Sequence, residues 1–219
     1  KEYRRQRQMC IRDSACTVYG NLKLVSGMTL TASNSIMTFG ATSGTKTITS
    51  NGLTMDFPIT FNGAGGTWQL QDALTNGSTR TMTLTNGTLD LNGKTLTAGT
   101  SFATAAGTKN ITFNGGTLAC PGASVTAFNN AAPTTFTTTA GTGTGTISMT
   151  AATAKTFVGG GSTYNCTLNN GGAGALTITG SNTFTTVANS VQPTTFTFTA
   201  GTTTTVTNFN VSGTSGNLV

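Results

Sequence analysis

From Thr45 onward, short runs of this chain alternate an apolar residue with threonine, and the runs are separated by glycine-containing steps. Examples are TKTITS (45–50), TRTMTLTNGTLDLNGKTLTAG (79–99), NITFNGGTL (110–118), GALTITG (174–180) and TTFTFTAG (194–201). A period of two places successive side chains on opposite sides of a strand, so each run predicts a half-buried strand with its apolar side turned inward. Threonine is β-branched and suits the outer side. The N-G, G-G and A-G steps supply turn conformations. No segment carries a 3.6-residue apolar stripe, so almost no helix is expected.

The strands recur at long range. Aligning Ile48, Met82, Ile111, Ile147, Leu176 and Val206 gives separations of 34, 29, 36, 29 and 30 residues. Recurrence on this scale marks a solenoid, in which a unit too small to bury its own apolar side stacks on its neighbours. The expectation is an all-β, single-stranded parallel β-helix of about six coils, a rod roughly 30 Å long at the usual strand spacing. The six aligned residues are expected to stack roughly in register in one core. An antiparallel β-sandwich is the alternative, because it also needs strands at this spacing.

The first fifteen residues do not share this pattern. Residues 4–14, RRQRQMCIRDS, resemble the direct translation of a tagmentation sequencing adapter ending in the transposon mosaic end. Such a scar is excluded from fold reasoning. Residues 1–15 are therefore expected to be adapter-derived, non-native and disordered, and 16–219 to be a β-helix fragment of metagenomic origin, truncated at both ends. The formal charge of +6 changes with this division. Lys1, Arg4, Arg5, Arg7 and Arg12 leave together with Glu2 and Asp13, so the remainder carries +3. Lys23, Lys46, Arg80, Lys94, Lys109 and Lys155 are spread over two hundred residues and form no basic stripe, so no nucleic-acid partner is expected. No run reaches the eighteen apolar residues of a membrane span.

The stretches GGTWQLQDALT (65–75), LTNGTLDLNGKTLTAG (84–99) and TFTAGTTTTVTNFNVSGTSGNLV (197–219) resemble repeat segments of right-handed parallel β-helix proteins. Related patterns occur in phage tail-associated and virion proteins and in bacterial adhesin-like surface proteins. The resemblance covers about a third of the chain and is specific for architecture rather than activity. It implies an extracellular, cell-surface or virion location and a surface glycan or host receptor as partner. The function it implies is structural or adhesive rather than enzymatic, with no cofactor.

Individual residues point the same way. Glycan hydrolysis needs two carboxylates, and only Asp56, Asp72 and Asp90 lie outside the scar. Asp56 and Asp90 are 34 residues apart, which would place them on adjacent coils, but Asp90 between Leu89 and Leu91 is expected to face solvent. Arg80 and Lys94 are too isolated for the cation cluster of a lyase. The chain has no histidine, which excludes Ser–His and Cys–His nucleophiles and makes a zinc site improbable. Cys16, Cys120 and Cys166 read as small hydrophobes. Trp68 shares a side with Leu70 and reads as core rather than as a sugar platform. The glycines of FVGGGSTY (157–164) read as a turn, since no G-K-[ST] follows. Asn76, Asn86, Asn110, Asn165 and Asn210 head N-x-[ST] triplets, which a threonine-rich chain produces by chance.

No catalytic, cofactor-binding or metal-binding residue is thus expected. Two further functional classes stay open: a fragment of a polysaccharide-active β-helix enzyme, and an ice-binding solenoid. The latter rests on outward threonines stacking into ladders of methyl and hydroxyl groups, although coils varying from 29 to 36 residues are less regular than such proteins use. Uncapped solenoid ends are expected to self-associate.

Overall fold

The computed structural model describes residues 14–122 and 126–213, and every regular element among them is a β-strand. Every strand pair among the described residues is parallel. The antiparallel sandwich is thereby overturned, and the chain is a parallel β-solenoid. No helix among the described residues is long and apolar enough to cross a membrane. Of the segment expected to be foreign, residues 1–13 lie outside the described residues. Ser14 and Ala15 lead directly into the strand Cys16–Val18.

Each coil contributes to three faces. The first face begins with Cys16–Val18 and Met37–Phe39, continues through the opening residues of Ile59–Leu70 and Thr81–Asp90, and ends with Phe196–Phe198. The second contains Thr45–Thr49, residues 67–70, residues 88–90, Lys109–Thr112 and Phe136–Thr139. The third runs from Thr54–Met55 through Leu74–Asn76, Thr95–Thr97, Thr117–Cys120 and Thr146–Met149 to residues 208–210.

The first face has nine rungs, so the solenoid has about nine turns rather than six. Following the register from Cys16 through Met37, Ile59, Met82, Phe102, Phe128, Phe157 and Ile178 to Phe198 gives coils of 20 to 29 residues. At ~4.8 Å per rung the rod is about 40 Å long. The miscount has a geometric origin. Ile48, Met82, Ile111, Ile147 and Leu176 are all fully buried, and Val206 is half-buried, so the six do point into one core. They do not share one ladder. Ile48 and Ile111 lie on the second face, Met82 and Leu176 on the first, and Ile147 on the third. Steps of about thirty residues therefore mix one full coil with part of the next.

The core is a continuous column in which aromatic rings stack between coils. Phe39 and Phe61 lie 5.1 Å apart, Phe128 and Phe157 4.5 Å, and Tyr164 and Phe184 5.1 Å. Each such buried ring contributes on the order of 2–3 kcal/mol from burial alone. Corners are made by local chemistry. Between the second and third faces, Asn51, Asn92 and Asn114 adopt left-handed conformations with φ of 50°, 48° and 49°, a region that asparagine tolerates. Between the first and second faces, Gly63 and Gly66 let the backbone pass close to the preceding coil.

Candidate functional site

The described surface offers flat faces whose chemistry is set by the outward half of each alternation. On the third face, Thr95, Thr117, Thr146, Thr167 and Thr186 are consecutive rungs of one column. Beside it runs a second column of Thr54, Thr75, Thr97, Ala119, Ser148, Asn169 and Ala188. Strand geometry spaces rungs ~4.8 Å apart and neighbouring columns about 6.6 Å apart, two residues along a strand. Thr95 is exposed and the other four threonines of the first column are half-buried by their neighbours. None of these five hydroxyls is held by a hydrogen bond within the described residues. The column is a row of free hydroxyl and methyl groups on a rigid base.

The other faces differ. On the second face, Asn110 Oδ1 accepts hydrogen bonds from the hydroxyls of Thr137 (3.0 Å) and Thr139 (3.2 Å), so part of its polar surface is satisfied internally. The first face carries Thr17, Thr38, Thr60 and Thr83 in register, after which Ala103, Asn129 and Val158 interrupt the column.

The three acids are not brought together. Asp56 Oδ1 accepts from Arg80 Nε at 2.7 Å, in an ion pair at the corner between the third and first faces, and Arg80 also donates to Asn34. Asp72 caps backbone N–H groups of the preceding coil, Ser50 at 2.8 Å and Asn51 at 2.5 Å. Asp90 is the last residue of its strand on the second face, beside the corner that Asp72 occupies in the preceding coil. Its Oδ1 accepts from Asn92 N (2.8 Å) and Asn114 Nδ2 (2.9 Å), and its Oδ2 from Gln69 Nε2 (2.9 Å). The expectation that Asp90 faces solvent is corrected. Leu89 and Leu91 do point inward, but Asp90 is only 8% exposed because side chains of the coils on either side cover it.

Two buried charged groups escaped sequence reasoning, which read the lysines only as spread along the chain without forming a basic stripe. Lys109 and Lys155 are fully buried. Lys155 Nζ donates to the carbonyl oxygens of Ala151 (2.8 Å), Gly172 (3.2 Å) and Gly174 (2.7 Å). Lys109 Nζ donates to Gly107 O at 2.8 Å and more weakly to Thr134 O at 3.4 Å. Burial lowers the pKa of both, that of Lys155 to about 8. The available signal was parity: Lys109 shares the inward phase of Ile111, and Lys155 that of Phe157.

The core readings of Trp68, Cys120 and Cys166 are met. Trp68 is buried against Phe39 at 4.8 Å between ring centroids. Cys120 and Cys166 are buried free thiols whose pKa burial pushes up, that of Cys120 to about 12, while Cys16 is half-buried. Gly160 and Gly161 form a positive-φ turn, and Gly161 N donates to Asn182 Oδ1 at 3.1 Å. Of the N-x-[ST] asparagines, Asn76 is buried with Nδ2 donating to Met55 O and Phe57 O, and Asn165 Nδ2 donates to Thr138 O. No group of three or more potential metal ligands occurs among the described residues. Comparison with family models, with curated proteins and with solved structures finds no match.

Proposed function

We propose that this solenoid is a non-enzymatic structural and adhesive rod, displayed at a cell or virion surface, whose third face contacts a surface glycan or host receptor. The observation that carries the reading is the unbroken column Thr95–Thr117–Thr146–Thr167–Thr186 with unengaged hydroxyls. A single hydroxyl contact contributes only about 0.5–1.5 kcal/mol net. A rigid row repeats that contact without ordering new side chains, and multivalency converts weak contacts into adhesion. The acids support the same reading, because Asp56, Asp72 and Asp90 each hold the scaffold together.

Ice binding is the second reading, and one observation favours it. Along the third face most coils are 19–22 residues, with a single step of 29 between Leu118 and Ile147. The face is therefore more regular than the sequence repeat implied. One pair of variants addresses both readings. Thr146→Lys with Thr167→Lys should abolish retention on immobilised surface polysaccharides and leave the circular-dichroism spectrum unchanged. Thermal hysteresis that is lost in the same variant, with no polysaccharide retained by the parent, would replace adhesion by ice binding. Absence of both activities in the parent would remove the third face as a binding surface.

A further inference from the structure

We propose that the third face takes a neutral, extended β-1,4-linked polysaccharide laid along the solenoid axis, with one sugar over each rung. The inference rests on the adhesive reading of this face and names the class of glycan that fits it. The column Thr95–Thr117–Thr146–Thr167–Thr186 runs along the axis and offers one hydroxyl every ~4.8 Å. An extended β-1,4-linked chain advances by about one pyranose length per sugar, so it keeps step with the rungs. A coiled α-1,4-linked chain advances much less per sugar and leaves the column after a contact or two. The column is bounded inside the solenoid. Ala73, beside the Leu74–Leu96 pair, precedes Thr95, and Asn208 follows Thr186.

The chemistry of the two columns agrees with this choice. Successive sugars of an extended β-1,4-linked chain are turned over relative to one another, so alternate rungs meet opposite edges of the ring. A hydroxyl donates one hydrogen bond and accepts two, so identical threonines serve both edges. Beside the central rungs the neighbouring column holds Ala119, Ser148 and Asn169, about 6.6 Å away. Ala119 and Ser148 have short side chains, which lets a ring lie flat across both columns with its apolar face on the threonine methyls. Charge narrows the class further. Neither column contains a charged residue, so an acidic polysaccharide would lose hydration here without gaining a partner. The other faces lack such a row: Asn110 engages hydroxyls on the second, and Ala103 interrupts the first.

Retention of the full chain on microcrystalline cellulose, starch granules and immobilised polygalacturonate tests this, together with its affinity for cello-oligosaccharides of increasing length. The expected result is retention on cellulose alone, insensitive to salt. Affinity should rise by about fivefold with each added sugar, the worth of one net hydrogen bond, and level off once the column is spanned. Thr146→Val with Thr167→Val removes two hydroxyls and keeps the branched shape, so it should weaken binding by about 25-fold, two such contacts. Thr60→Val with Thr83→Val, on the first face, should leave binding unchanged. If the valine chains fail to fold by circular dichroism, the length series of the parent decides. Equal retention on starch, affinity independent of oligosaccharide length, or equal losses from the two valine pairs would overturn the match to a β-1,4-linked chain. Retention on polygalacturonate or starch alone would overturn this inference and keep the adhesive reading, whereas retention on no polysaccharide would remove both.

Discussion

Lys155 donates from Nζ to the carbonyl oxygen of Gly174 at 2.7 Å, tying one coil to the next through the interior. With Ala151 O and Gly172 O completing the set, the ammonium satisfies three carbonyls at a corner where the chain passes from the third face to the first. A neutral side chain of similar length cannot do this. Lys155→Met leaves these carbonyls without this donor and should therefore destabilise the solenoid by about 1–3 kcal/mol, the range for buried groups left unsatisfied, read as a lower denaturant midpoint.

The same residue predicts a pH dependence. Burial holds the Lys155 pKa at about 8, below its ordinary value of 10.5. Between these values the unfolded chain binds more protons at this site than the folded one, so stability rises with pH across the window. Below about 8 both states are charged and the cost of burying the ammonium is fully present. Cys120 and Cys166, whose thiol pKa values burial raises, act in the opposite sense in both chains, so unfolding midpoints measured from pH 7 to 10 should rise more, or fall less, in the parent than in Lys155→Met. Identical slopes would show that the site does not titrate in this range.

Asp90 joins three coils, because its donors Gln69 and Asn114 belong to the preceding and following turns and Asn92 to its own. Asp90→Ala removes all three bonds and leaves mostly covered donors without acceptors. A loss of about 2–3 kcal/mol is expected. Asp90→Asn keeps one acceptor but turns an amide N–H toward a donor, so it should recover only part of that loss. Full recovery by asparagine would mean that the charge and the second oxygen contribute nothing.

The alternation along the chain made the strands and their inward sides legible. Trp68 and Leu70 point into the core while Gln69 points out, as period two requires. Coil length was not legible in the same way. Each coil has three inward segments, and nothing in the spacing of Ile48, Met82 and Ile111 says which face each occupies. Corner lengths also vary, as the 29-residue step from Phe128 to Phe157 shows. Asp90 and Asn114 illustrate a second limit, since their pairing depends on which corner stacks on which, 24 residues apart. The threonine columns were foreseen as ladders. That the third face holds the longest unbroken one follows from the register, which the alternation alone does not set.

Gly63 and Gly52 separate two reasons for a glycine at a corner. A Cβ on Gly63 would sit 1.9 Å from Ala41 O, a backbone atom of the preceding coil, and its φ lies outside the left-handed region. Gly52 has φ +76° and open space around it, so there the constraint is conformation rather than room. Gly63→Ala forces two stacked coils apart and should cost about 3 kcal/mol, at the upper end of overpacking effects. Gly52→Ala should cost about 1 kcal/mol, the strain of a left-handed conformation on a residue with a Cβ. Asparagine discriminates further, because it tolerates the left-handed region but is larger than alanine. Gly52→Asn should lose less than Gly52→Ala, whereas Gly63→Asn should lose at least as much as Gly63→Ala. Urea midpoints of the four variants at constant m-value give the comparison. A mild effect at Gly63 would show that the coils can separate at this corner, and the close packing of residues 63–66 on Ala41 would then not be what sets the turn.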